Sequence, residues 1–161
     1  EPHAHGKMVL TTESVGEVLT TVRSRCLSVV CELPAQESAD PILSQVGIPT
    51  GREADYQAQH SVLSDLVTFA TGLKSRKVGE ALALAEEFRK LCDRYETKEQ
   101  GARLSQAEML SFFANVASKQ AQLPPEWAHA IIEAHRRIIG NGSAPLVFDA
   151  LFSKMLLSQK N

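Results

Sequence analysis

The chain has no apolar run approaching the ~18 residues that a helix needs to cross a bilayer, so no membrane-spanning segment is expected among its 161 residues. Cysteine is scarce. Cys26, Cys31 and Cys92 form no C-x-x-C pair, which argues against a zinc knuckle or a thioredoxin-like couple and suits reduced thiols in a cytoplasmic protein. No G-x-x-x-x-G-K-S/T run occurs, so the loop whose backbone N–H groups cradle nucleotide phosphates is missing. Gly72-Leu73-Lys74-Ser75 is no substitute, because its lysine does not directly follow the glycine and no first glycine lies upstream at the required spacing; it reads as a helix end. Neither sign of charge dominates. Seventeen Lys and Arg stand against 19 Asp and Glu, for a net charge of -2, so general attraction to a phosphate backbone is absent and any DNA contact would be local. The start Glu1-Pro2-His3 has neither an initiator Met nor the look of a signal peptide, which suggests a fragment of a longer chain.

What is present is a composition for packing: 43% hydrophobic and 22% charged residues, enough for one ordinary domain or a small domain with part of another attached. Lys7 to Glu13 is short, β-prone and apolar in the middle, as in a buried strand whose polar tip carries Thr11 and Thr12. A connector from Val18 to Arg25 leads to a second strand-like run, Leu27 to Leu33, closed by Pro34. Residues 1–34 therefore read as the remnant of a larger α/β domain. Residues 35–60 are polar, carry Pro41, Gly47, Pro49 and Gly51, and read as a linker or abbreviated lid with at most a short helical turn around Ile42, Leu43, Val46 and Ile48.

Everything from 61 to 161 reads as a helical bundle of about five helices, so the fold class expected is mainly α with a short β-containing N-terminal piece. Ser61 is placed as the cap of a helix bearing Val62, Leu63, Leu66, Val67 and Phe69. A second stripe runs through Val78, Ala81, Leu82, Ala85, Phe88, Leu91, Cys92 and Tyr95. Ser105 and Glu108 have the spacing of a capping box ahead of Met109, Phe112, Phe113 and Val116. Pro124-Pro125 opens a helix with Trp127, Ile131 and Ile138 that Gly140-Asn141-Gly142 ends, and Ser143 can cap the last, bearing Leu146, Val147, Leu151, Phe152, Met155 and Leu156.

The side chains offer little chemistry of their own. His3, His5, His60, His129 and His135 do not show a convergent ligand pattern, so no metal is expected. Cys26 and Cys31 lack a recognisable histidine partner and read as buried strand residues rather than nucleophiles. Carboxylates such as Glu86, Glu87 and Glu96 sit among Lys and Arg on polar helix faces, and the clusters Lys74, Arg76, Lys77 and Arg136-Arg137 read as solvated surface.

One passage is specific. Met8-Val9-Leu10-Thr11-Thr12-Glu13, followed by Val18-Leu19-Thr20-Thr21-Val22-Arg23-Ser24-Arg25-Cys26, resembles the sensor 1 strand and Ser-Arg-Cys motif of the bacterial clamp-loader AAA+ ATPases, and Glu1-Pro2-His3-Ala4-His5 is similar to the run that precedes that strand in the family. Ala130 to Met155, with Asn141 and Pro145 to Phe152, resembles the last two helices of the family's collar domain. The resemblance implies that Arg25 is an arginine finger acting in trans, with Ser24 and Cys26 as its motif context and Thr11 and Thr12 at the sensor 1 position. It also implies a noncatalytic part in the DNA polymerase III clamp loader: no cofactor bound by this chain, ATP and Mg bound by partner subunits, and as partners the tau/gamma motor subunits and delta, with the sliding clamp and primer-template DNA reached through the complex. The three-helix lid that the family carries after the motif does not fit between Pro34 and His60, which is too short and too polar. Two other readings are a fragment of the tau/gamma motor subunit and a helical adaptor unrelated to replication.

Overall fold

The structure is a computed structural model, and it describes residues 10–12, 18–26, 37–96, 101–119 and 124–158. The chain divides into two compact units, Glu1–Pro34 and Ala35–Asn161. In the first, the described residues form one short helix, α1 (Thr20–Arg23), while Leu10 to Thr12 follow no regular secondary structure. The connector expected after Gly16 is thus helical at its centre. The rest of the strand at Lys7 to Glu13, and the whole of that at Leu27 to Leu33, lie outside the described residues.

The second unit is all helical apart from a single antiparallel bridge, Glu37 to Pro49, among the described residues. It begins at Ala35, so the segment expected to be a linker belongs to the packed body. The reason lies in α2 (Pro41–Val46): its spacing puts Leu43 and Val46 on one face, and both are buried, together with Ile48 just beyond. Asp40 starts this helix, its side chain accepting the N–H groups of Ile42 and Leu43 while Pro41 supplies a preset φ. Gly47 ends it at φ 86, where the N–H of Ile48 reaches back to the Leu43 carbonyl in a Schellman closure.

A 3-10 segment, Glu53–Gln59, runs straight into α3 (His60–Gly72). Ser61 is therefore the second residue of an already formed turn rather than its cap, and α3 starts with no side-chain cap bond. The chain then passes through 3-10 turns at Leu73–Ser75 and Val78–Glu80 into α4 (Ala81–Tyr95), followed by α5 (Gly101–Lys119), α6 (Pro125–Ile139) and α7 (Ala144–Ser158). Helix α5 starts a full turn earlier than a cap at Ser105 requires, because Ala102, Arg103 and Leu104 are good helix formers. Ser105 lies inside that helix and is buried, and the Glu108 carboxylate accepts the hydroxyl of Tyr56 instead of closing a capping box.

The Gly140-Asn141-Gly142 stop forms as expected. Asn141 takes φ 66, the N–H of Gly142 reaches the Arg137 carbonyl at 2.7 Å, and that of Asn141 reaches Ile138. A Cβ on Gly142 would lie 2.7 Å from the same Arg137 carbonyl, so the glycine is needed for closeness rather than for its own torsion. The tight turn sends α7 back along α6, and the indole N–H of Trp127 near the start of α6 donates to the Met155 carbonyl near the end of α7 at 2.9 Å.

At the centre lie five phenylalanines from four helices. Phe88 of α4 is fully buried and its ring centroid is 5.1 to 5.8 Å from those of Phe69 (α3), Phe113 (α5), Phe148 and Phe152 (α7). Tilted and edge-on arrangements dominate, the geometry that aromatic quadrupoles favour. Two residues assigned to buried stripes from sequence do not join them: Leu82 and Leu146 are 65% and 69% exposed.

Two measurements test this fold. Phe88→Ala should cost about 3 to 5 kcal/mol of stability in urea unfolding, whereas Leu82→Ala should stay within about 0.5 kcal/mol of the parent; equal effects would contradict the packing. The Asp40 carboxyl is held below its ordinary value, first by the Leu43 N–H and then by that of Ile42 and by His60. A depressed carboxyl contributes stability above its unfolded value and loses it as pH falls through the folded one. The thermal midpoint of Asp40→Asn should therefore decline less than that of the parent between pH 5 and pH 3, and parallel declines would remove Asp40 from the acid response.

Candidate functional site

Three of the residues singled out by sequence, Ser24, Arg25 and Cys26, lie together on one exposed turn, and Thr11 and Thr12 lie apart from it. Helix α1 has no buried residues, and the chain leaves it through Ser24, Arg25 and Cys26, all exposed. The N–H of Ser24 bonds the Thr20 carbonyl at 3.0 Å in the α-helical register; the next N–H, of Arg25, shifts to Val22 at 3.0 Å, and that of Cys26 to Arg23 at 3.4 Å. Arg25 is thus carried on a tightened last turn that faces solvent. Among the described residues no carboxylate pairs with it, nor with Arg23, Arg103 or Arg136, whereas Arg52, Arg76, Arg89, Arg94 and Arg137 each pair with an acid. A guanidinium stays charged and presents directed N–H donors, which suit it to carboxylate and phosphate oxygens. Thr11 and Thr12 are also exposed.

The other polar groups act within the fold. Asp40 Oδ2 lies 3.0 Å from His60 Nε2, and Ser38 donates to Glu53 at 3.0 Å, which ties the start of α2 to the 3-10 segment and α3. Tyr56 and the buried Tyr95 both face Glu108 and both pack edge-on against Phe112; burial first, then the Glu108 charge, pushes each phenol up. Glu133 accepts from Arg137 and from Lys154, and the lysine bond is the foremost cause that holds its carboxyl low. Among the described residues no three His, Cys, Asp or Glu side chains converge as metal ligands, and no helix is long and apolar enough to cross a membrane. An open hollow of ≈310 Å³ at the junction of α6 and α7 is lined by Arg137, Gly140, Gly142, Ser143, Leu146 and Val147, with the arginine already engaged by Glu133.

Sequence reasoning missed Asp40 as a helix cap, although Asp directly before Pro is a legible start signal. It could not find the Glu108 pairing with Tyr56, since the partners are 52 residues apart. Comparison with protein-family models finds no match to the chain, and neither curated proteins nor solved structures yield one.

The two described cysteines differ sharply. Cys26, expected to be buried on a strand, is exposed on the turn that leaves α1, while Cys92 is buried and its thiol is pushed up by that burial and by the Asp93 charge. The thiolate is the reacting form, so an alkylating reagent near neutral pH should label the Cys26 peptide in the folded protein and the Cys92 peptide only in denaturant. Peptide mapping by mass spectrometry reads the result, and labelling of Cys92 without unfolding would contradict the placement.

Proposed function

We propose that the chain is part of a noncatalytic clamp-loader subunit of bacterial DNA polymerase III, of the delta-prime type, which supplies Arg25 in trans to ATP held by a neighbouring motor subunit. What carries the reading is the ordered run from Met8 to Cys26 ending on an exposed arginine that no described carboxylate neutralises. Residues 1–34 are then the remnant of an AAA+ domain, with Thr11 and Thr12 at a vestigial sensor 1 position. On this reading ATP and Mg are held by the partner subunits, and residues 1–161 contain no phosphate loop of their own.

In phosphoryl transfer, negative charge builds on the γ-phosphoryl oxygens, and an arginine from a neighbour neutralises it where water is excluded. The helical unit has the complementary role of a collar that holds the subunit among its neighbours. In support, Ile132 and Ile139 are 47% and 49% exposed seven residues apart on α6, and Leu146 and Leu157 are 69% and 56% exposed eleven apart on α7. Each spacing keeps a pair on one helix face. Exposed apolar side chains aligned in this way suit a packed assembly.

The test is reconstitution of the loader from full-length subunits with Arg25→Ala or Arg25→Lys. Turnover at the site served by the finger should fall by about 10³-fold or more with alanine, and lysine should restore little of it. DNA-stimulated ATP hydrolysis measures the effect, with co-elution of the motor subunits and delta as the control for assembly. Unchanged hydrolysis in a complex of normal composition would overturn the finger, and a chain that never co-elutes would favour an adaptor outside replication.

A further inference from the structure

The turn that presents Arg25 changes register, and the change leaves a carbonyl to be satisfied. In a continuing α-helix the N–H of Arg25 would bond the Thr21 carbonyl four residues back. Here it bonds Val22, three back, at 3.0 Å, and Cys26 follows the same shorter step to Arg23. Thr20, Val22 and Arg23 each keep a backbone donor, while the Thr21 carbonyl receives the hydroxyl of Ser24 at 3.2 Å. We infer that Ser24 is a positioning residue for Arg25: its hydroxyl takes over the carbonyl that the tightened turn abandons, and so holds the arginine off the helix axis. The inference rests on the finger reading above and explains why a hydroxyl residue, rather than any small one, precedes the arginine.

A bond of this length on an exposed turn is weak. Water can replace it, so its removal broadens the orientations of Arg25 without unfolding α1. A finger must meet charge that exists only in the transition state, and a less ordered arginine therefore lowers kcat while leaving ground-state ATP binding by the partner untouched. Threonine keeps the hydroxyl and can bond a carbonyl one turn back from within a helix; alanine cannot.

The experiment uses the reconstituted loader with Ser24→Ala, Ser24→Thr and, as reference, Arg25→Ala. DNA-stimulated ATP hydrolysis is resolved into kcat and KM, and co-elution checks assembly. Ser24→Ala should lower kcat by about two- to fivefold, as expected for one modest hydrogen bond, with KM for ATP unchanged and with Ser24→Thr near the parent. If Arg25→Ala is impaired but Ser24→Ala equals the parent, the positioning role is overturned and the finger stands. Impairment of Ser24→Thr as severe as that of Ser24→Ala would also overturn it, since the hydroxyl would then not be what matters. Loss of assembly in Ser24→Ala would do the same. A silent Arg25→Ala would overturn the finger, and the role of Ser24 with it.

Discussion

The packing of Phe88 against four other phenyl rings is the constraint on which the helical unit depends. Those rings come from α3, α4, α5 and α7, so the centre is complete only when the last helix is in place. Edge-on and tilted pairs add about 0.5 to 1.5 kcal/mol each to the burial of their area. The sixth phenylalanine, Phe112, lies on the neighbouring face of α5 and takes Tyr56 and Tyr95 edge-on, which carries order out to the 3-10 segment. Two aromatic clusters on adjacent faces of one helix thus set where α5 lies. With α5 fixed, the hydrogen bond from Trp127 to Met155 holds α6 and α7 side by side.

Helix α2 follows from the position of α5. At six residues it is too short to be stable alone. Its last carbonyls are met from a distance: Asn115 donates to Val46 at 2.9 Å, and Lys119, one turn further along α5, donates to Ser44 at 2.6 Å. Gly47 serves this contact as well as the turn, since a Cβ there would lie 2.4 Å from the Asn115 amide nitrogen. Lys119 also reaches Glu37 at 3.0 Å, so a single side chain closes the segment before α2 and the end of α2 itself. These bonds span 69 to 82 residues of sequence, which is why a composition of Pro, Gly and polar residues reads locally as a linker.

The same distinction between local and distant causes marks what was legible in the sequence. Periodicity located the long helices, and of the apolar residues assigned to α5 and α6 all are buried. Helix ends with a local chemical cause were readable too, as at Asn141, whose side chain tolerates the left-handed backbone that the stop demands. Leu82 and Leu146 mislead because a leucine on the edge of an apolar stripe carries no local mark of which neighbour is missing. Ser105 and Glu108 mislead for a different reason: the capping-box spacing is correct, but helix-forming residues upstream extend α5 through it, and Tyr56 claims the carboxylate. The strand expectations at Lys7 to Glu13 and Leu27 to Leu33 fall largely outside the described residues.

The turn at Ser24 to Cys26 belongs to the local category throughout. Every bond described in it spans three or four residues, and none of its side chains is buried. The bonds described in it are set within the turn itself. Arg25 is exposed and has no acid paired with it among the described residues. Elsewhere in the molecule most arginines are tied to carboxylates, as surface charges in a nearly neutral protein tend to be. Among the described residues Arg25 lacks such a tie, as do Arg23, Arg103 and Arg136, and it directly follows the serine whose hydroxyl bonds the Thr21 carbonyl one turn back.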